Sequence, residues 1–389
     1  MPTESTFLFA GLLFLAAAMG YVFARFGDED EEDLAERSTR TNLLRSFRYL
    51  LNDDADRAVD VFTDADAVTD EVLDTQLALG SLFRRRGELD RAIRLHQNLL
   101  DRSTSTGAQR QAAAFALAED FLSAGLFDRA EELLLRLRDT PDYRLDALRR
   151  LIRIAEVTSE WDRAVDLCGE LNGVEPGSVA PAQLAHYYCE LAGQARQKGQ
   201  LPEARQFLEQ ARAINRGMPR IALLEADLHR DAGDIQSAVA TLVKLGRNQP
   251  GMVGELLPRL LAYDRGPDSQ PLVLDALAGL AGSPEAQRRM ALELIRNPKI
   301  DDPVVVRFLA GFLIEQTEIR PLVVRPGNPV ADPLAEAERL RPLLQKLISP
   351  GQRFLCGSCG YRSATLHWQC PGCRSWDTTT AVDDLALSR

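Results

Sequence analysis

Four cysteines near the C-terminus carry the clearest chemistry in this sequence: Cys356-Gly-Ser-Cys359 and Cys370-Pro-Gly-Cys373, a C-x2-C pair repeated after a ten-residue spacer. Two such pairs offer four soft sulfur donors, the set that Zn²⁺ takes in closed tetrahedral structural sites. Gly357, Gly360 and Gly372 permit the tight turns in which backbone N–H groups point at sulfur. Iron competes, because a Cys₄ tetrahedron also holds a single Fe, and the spacer is shorter than the roughly 15–20 residues usual between such pairs. Zn is the expected ion, with Fe as the alternative, since no other feature of the chain points to electron transfer.

The residues around the cysteines fit a small metal module. Arg353, Arg362 and Arg374 flank it and no acid lies between residues 351 and 376, so the arginines are placed to offset a negative Zn(Cys)₄ unit. Tyr361, Trp368 and Trp376 are expected to supply the module's small core, and His367 is not needed as a ligand. Elsewhere chemistry is sparse. His186 and Cys189 share a helix face, but two further ligands are missing and a packing role is favoured; Cys168 reads as a small core hydrophobe. No phosphate loop, nucleophile elbow or metalloprotease motif is present, and with four histidines the chain reads as a scaffold or adaptor, not an enzyme.

The elements that must carry this module are helical repeats. Asp-Arg-Ala occurs at Asp56-Arg57-Ala58, Asp90-Arg91-Ala92, Asp128-Arg129-Ala130 and Asp162-Arg163-Ala164, and weaker copies end at Ala204 and Ala238. The alanines are 34, 38, 34, 40 and 34 residues apart, the tetratricopeptide period with short insertions. Leu79-Gly80 with Phe83 marks a first helix, and Gly87 and Gly125 mark turns. Each alanine is expected where two helices cross, with no room for a larger side chain. Such repeats offer a groove lined by their first helices. Counting back from the alanines puts Arg40, Arg84, Arg85, Arg149, Arg153, Arg196, Arg220 and Arg230 there, against Asp74, Glu119, Glu156, Asp227 and Asp231. As a set the arginines suit a partner with acidic segments; singly, each also fits a solvated helix face.

The N-terminus differs again. Phe7 to Ala24 is eighteen residues without a charge, about 27 Å as a helix and enough to cross a bilayer once. The competing reading is a cleaved secretory signal, with Ala16-Ala17-Ala18 as the cleavage region, but no Lys or Arg precedes the run. Arg25, Arg37 and Arg40 follow it, so the positive-inside rule puts the rest of the chain in the cytoplasm, where paired disulfides are not expected. Residues 28–33 are six consecutive acids, a solvated spacer. With 46 basic and 57 acidic residues the net charge is −11, which argues against a nucleic-acid coat.

The expected architecture is all-α: a single transmembrane helix (1–27), an acidic linker (28–37), about six tetratricopeptide repeats forming an α-solenoid (38–250), degenerate helical repeats (251–349), a small rubredoxin-like zinc ribbon (350–378) that caps or braces the solenoid end, and a tail (379–389). This combination resembles the bacterial lipopolysaccharide assembly protein B family (LapB, also called YciM). The resemblance is densest in LGSLFRRRGELDRAIRLHQ (79–97), AGLFDRAE (124–131), TSEWDRAVD (158–166), AHYYCELA (185–192), CGSCG and CPGCRSW. It implies an inner-membrane adaptor that limits lipid A synthesis by delivering the LpxC-type deacetylase to the FtsH-type AAA+ protease. It also implies links to lipopolysaccharide transport proteins, an antagonist of the PbgA/YejM type acting through the anchor, and Cys356, Cys359, Cys370 and Cys373 as metal ligands. The acidic run 28–33 and the loosely matching stretch 250–340 depart from the family pattern. Two rival classes remain at this point: a generic repeat scaffold for envelope assembly or secretion, and an iron rubredoxin-type electron carrier.

Overall fold

A computed structural model describes residues 70–102, 106–263, 270–280 and 354–382, with the single positions 19, 21, 286 and 290. The apolar run 7–24 (apart from Met19 and Tyr21), the acidic run 28–33, Arg40, the repeat around Ala58 and residues 291–349 lie outside them. Among the described residues no helix is long and apolar enough to cross a membrane.

Ten helices run from residue 70 to 248: α1 Asp70–Arg85, α2 Leu89–Asp101, α3 Gly107–Ser123, α4 Phe127–Arg138, α5 Arg144–Thr158, α6 Trp161–Val174, α7 Pro181–Gln197, α8 Leu201–Ile214, α9 Pro219–Asp231 and α10 Ile235–Asn248. A 3₁₀ turn, Pro250–Met252, leads into α11 Val253–Leu261, and α12 Gln270–Leu280 follows. Two compact units divide the chain between Thr158 and Ser159.

Local signals in the sequence set the helix ends. Thr106 closes a capping box with Gln109 at the start of α3, and Pro181 and Pro219 open α7 and α9, where the missing N–H costs no hydrogen bond. Gly87, Gly125, Gly199 and Gly233 take positive φ after a first helix. There the following residue donates back five positions, Glu88 to the Phe83 carbonyl at 2.9 Å and Leu126 to that of Phe121 at 2.8 Å, which satisfies carbonyls the helix leaves open. Ser159 holds the same left-handed place before α6 with φ 60°, a conformation that costs a side-chain-bearing residue about 1–2 kcal/mol.

The small-residue positions behave as the period implies. Ala92, Ala130, Ala164, Ala204 and Ala238 have no exposed surface at all. Gly80 is tighter still: a Cβ there would lie within 2.9 Å of three ring atoms of the buried His96. His96 Nδ1 donates to Asp120 at 2.5 Å, and Arg84 donates to the other oxygen of that buried carboxylate at 2.7 Å, so α1, α2 and α3 share one polar cluster. In the second unit, α9 to α12 bury Leu242, Val253, Leu256, Leu260, Val273 and Leu280 together, so the helical packing continues into the proline-punctuated stretch after residue 250.

The C-terminal module is a three-stranded antiparallel sheet of β1 Phe354–Cys356, β2 Arg362–Ser363 and β3 Thr379–Ala381, in the order β2-β1-β3. Phe354 pairs with Ser363 on one side and Ala381 on the other. The ribbon therefore runs to Ala381, into the stretch assigned above to the tail. It packs against α6, α7 and α9, with Trp368 also against the cluster shared by α9 to α12, because those helices present an aromatic and polar surface that its tryptophans match.

Candidate metal centre

The two C-x2-C pairs form nearly identical knuckles. Cys356 N–H donates to the Tyr361 carbonyl and Gly360 N–H to that of Cys356, at 2.8 and 2.9 Å; Cys370 and Arg374 repeat this with Ser375 and Cys370 at 2.9 and 2.8 Å. Gly360 and Arg374 both take positive φ, 76° and 59°, at the equivalent point of each turn. The turns bring all four sulfurs within 4.8 Å of one another. Cys356 and Cys373 are 3.7 Å apart, as are Cys359 and Cys370. A tetrahedron with metal–sulfur bonds of about 2.3 Å has an edge of roughly 3.8 Å, so the cage already has the size of a tetrathiolate site. A disulfide would need about 2.0 Å between sulfurs, and all six cysteines are free.

Donors around the cage favour thiolate at specific sulfurs. The Thr378 hydroxyl, 3.2 Å away, and the N–H groups of Cys359 and Ser358 pull Cys356 down to about 6. Ser375, through its hydroxyl and N–H, lowers Cys373. The Tyr361 N–H acts the same way on Cys359, but desolvation and the other three sulfurs carry that thiol up to about 12. Four sulfurs this close cannot all ionise alone; a divalent ion removes that conflict. The chemistry such an ion supplies in a closed Cys₄ site is structural, since no coordination position is left for substrate. His367 faces Thr365 at 3.2 Å and is not part of the cluster. The geometry and donor set suit Zn²⁺ and single Fe alike.

The module's tryptophans serve a different purpose from the one expected. They do not form a private core, because the strands are two or three residues long and only Phe354, Cys356 and Cys370 are buried in the ribbon's described residues. Trp376 instead stacks on His186 at 4.7 Å and 24° and meets Trp161 and Tyr187 edge-on at 6.4 and 5.9 Å. Trp368 lies 5.8 Å from the His186 ring and takes the Arg220 guanidinium over its face at 5.9 Å. Tyr361 is exposed. His186 is fully buried and links to Asp377 at 2.7 Å through Nε2, while Arg220 donates to Nδ1 at 3.3 Å and to Glu190 at 2.7 Å. Because Nδ1 faces a guanidinium donor, the ring hydrogen sits on Nε2 and is given to Asp377. Sequence reasoning missed Trp161 and Asp377. The contact joins residues 191 positions apart, and no local pattern encodes it.

By contrast, much of the arginine set has an internal role. Arg84 binds Asp120 on α3; Arg196 on α7 reaches Asp231 and Asp227 on α9 at 2.5 and 3.4 Å; Arg230 pairs with both; and Arg259 on α11 reaches Asp227 at 2.8 Å. Arg150 binds Glu119 in the same manner. Arg149 lies 3.5 Å from Asp146 on its own helix, and Arg85 and Arg153 are exposed. Cys168 and Cys189 are buried, and burial pushes the Cys189 thiol up to about 12, which leaves it inert.

Known proteins are similar to this chain along nearly its whole length. Lipopolysaccharide assembly protein B of Escherichia coli (strain K12) is 31% identical over 400 residues, covering 96% of this chain and 97% of its own. The protein of the same name from Haemophilus influenzae is 31% identical over 396 residues with the same coverage. The chain belongs to the lipopolysaccharide assembly protein B family. A family profile described as "Rubredoxin metal binding domain" matches residues 354–380 and one described as "Tetratricopeptide repeat" matches residues 195–256, so the ribbon and the helical pairs of this lipopolysaccharide assembly protein B relative are each recognised separately. Among solved structures, the crystal structure of MamA protein covers 47% of this chain and 95% of its own at 18% identity, with a TM-score of 0.34.

Proposed function

We propose that this chain is a membrane-anchored adaptor in lipopolysaccharide assembly that lowers the level of the committing LpxC-type deacetylase by presenting it to an FtsH-type membrane protease. The reading rests on one observation above all, the near full-length relationship to proteins named lipopolysaccharide assembly protein B. Residues 7–24 would span the inner membrane once and hold the repeats on the cytoplasmic face, which raises the local concentration of whatever the repeats bind without any catalysis. The closed Cys₄ cage agrees with a protein that assembles others and transforms no substrate. Zn²⁺ is the ion proposed for it. Partners follow from the same reading: the protease, the deacetylase, a PbgA/YejM-type regulator at the anchor and the lipopolysaccharide transport proteins. Arg84, Arg85, Arg149, Arg153, Arg196 and Arg230 remain the proposed groove set. Arg85 and Arg153 are its best members, because they are exposed and the others lie beside acids.

Depletion of the protein with immunoblotting of the deacetylase tests this. A rise in deacetylase is expected, and an unchanged level defeats the proposal. Purified protein should be colourless; red absorption near the thiolate-to-iron bands would replace Zn with Fe and favour an electron carrier.

A further inference from the structure

The ribbon has two sources of order and lacks a third. Its described residues bury only Phe354, Cys356 and Cys370, and the two cysteines belong to the cage. What remains is the cage on one side and the helices on the other, and a single segment, Ser375 to Thr378, serves both. At its two ends it touches one sulfur of each knuckle: Ser375 Oγ lies 3.4 Å from Cys373 and Thr378 Oγ1 lies 3.2 Å from Cys356. The Thr378 carbonyl also accepts from Gly357 N–H at 2.7 Å. Between those ends Trp376 and Asp377 make the contacts to His186, Trp161 and Tyr187. Asp377 holds its place at φ 55°, a conformation an unsupported aspartate gives up readily, fixed by its N–H on the Trp368 carbonyl at 3.0 Å and its carboxylate on His186.

We propose that metal retention by Cys356, Cys359, Cys370 and Cys373 and docking of the ribbon on α6, α7 and α9 form one coupled equilibrium, in which His186 and Arg220, far outside the ribbon in sequence, act as positioning residues for the metal site. The ion closes the knuckles that hold Trp376 and Asp377 in register with His186; the docked helices in turn keep Ser375 and Thr378 against the sulfurs. Linkage makes the two effects equal, so whatever factor docking adds to metal affinity, the metal adds to docking. The ribbon is thereby a metal-dependent cover over the surface formed by Trp161, His186, Tyr187 and Arg220. When the ion leaves, the cover lifts and that surface meets solvent.

The test uses the full chain, loaded with zinc, in detergent. Zinc transfer to a chromogenic chelator is timed for wild type, His186→Gln, Arg220→Ala and the control Arg205→Ala, whose side chain is exposed on α8. His186→Gln and Arg220→Ala should release zinc about tenfold faster or more, the range that outer partners of metal ligands command, and Arg205→Ala should match wild type. The reverse arm measures amide hydrogen exchange in α7 for a Cys370→Ser/Cys373→Ser variant, which keeps the helices but not the cage. Exchange should rise in α7 and stay unchanged in α3. Far-UV circular dichroism checks that each variant keeps its helices. Wild-type release rates in both His186→Gln and Arg220→Ala, or unchanged α7 exchange without the cage, overturns the proposal.

Discussion

Replacing Gly80 by alanine should destabilise the protein, although by helix propensity alone it should do the opposite. In the interior of α1 an alanine is worth about 1 kcal/mol over glycine. The structure reverses the sign because the new methyl would lie within 2.9 Å of three His96 ring atoms, so the ring must move, and it is held on its far side by Asp120 at 2.5 Å. Overpacking a tight site costs about 1–3 kcal/mol, and displacing the ring from a buried carboxylate forfeits a charge-assisted hydrogen bond worth about 1.5–3 kcal/mol. After the propensity gain the net loss is about 1.5–5 kcal/mol. Urea denaturation followed by circular dichroism, with matched m-values, reads it as a lower midpoint. A second background isolates the cause: with His96→Ala the ring is gone, and Gly80→Ala should then be neutral or stabilising by about 1 kcal/mol. If Gly80→Ala raises the midpoint on its own, or is equally harmful without His96, close packing of that ring is not what requires glycine.

Further outcomes follow from backbone strain, ion pairing and thiol burial. Ser159→Gly and Arg374→Gly place glycine at positive φ and should each add about 0.5–1 kcal/mol, read as a higher thermal midpoint for the first and slower zinc release for the second. Burial acts to raise the carboxyl of Asp231, but hydrogen bonds from Arg196 and Arg230 outweigh it and hold the group below its ordinary 3.8. Its contribution to stability is therefore complete above pH 3.8 and lost as the pH falls through the lowered value, so Asp231→Asn should remove part of the acid dependence of unfolding. After chelation, alkylation of the folded protein at pH 8 should stop at the four ribbon cysteines; labelling of Cys168 or Cys189 would contradict their burial.

What could be read without coordinates was whatever repeats or clusters locally. The alanines at the helix crossings, the turn glycines and the C-x2-C pairs each carry their physical cause within a few residues, and those among the described residues stand where the pattern put them. The arginines were half legible. Their types and first-helix positions were plain, but Arg84 finds Asp120 36 residues on, an acid outside the set named beside the arginines, and Arg196 finds Asp227 31 residues on, so an acid named as an opposing charge is in fact its partner. One repeat length was the available signal. The tryptophans of the ribbon were read as its private core because a small module usually needs one; two- and three-residue strands with a metal cage bury too little for that, and Trp368 and Trp376 turn outward to α7 and α9 instead.

Those ion pairs between successive first helices have a consequence for how such a chain can change. A buried Asp120 is tolerable only with Arg84 and His96 supplied by the repeat before it, and Asp227 only with Arg196 before and Arg259 after. Repeats built this way are not interchangeable beads. Duplicating, deleting or swapping one would leave a desolvated carboxylate facing the wrong neighbour, a cost of several kcal/mol for a charge left alone in the interior. The order of the repeats is thus written into their charges, and a lineage carrying them is held to substitutions within repeats, with length variation confined to the loops between them.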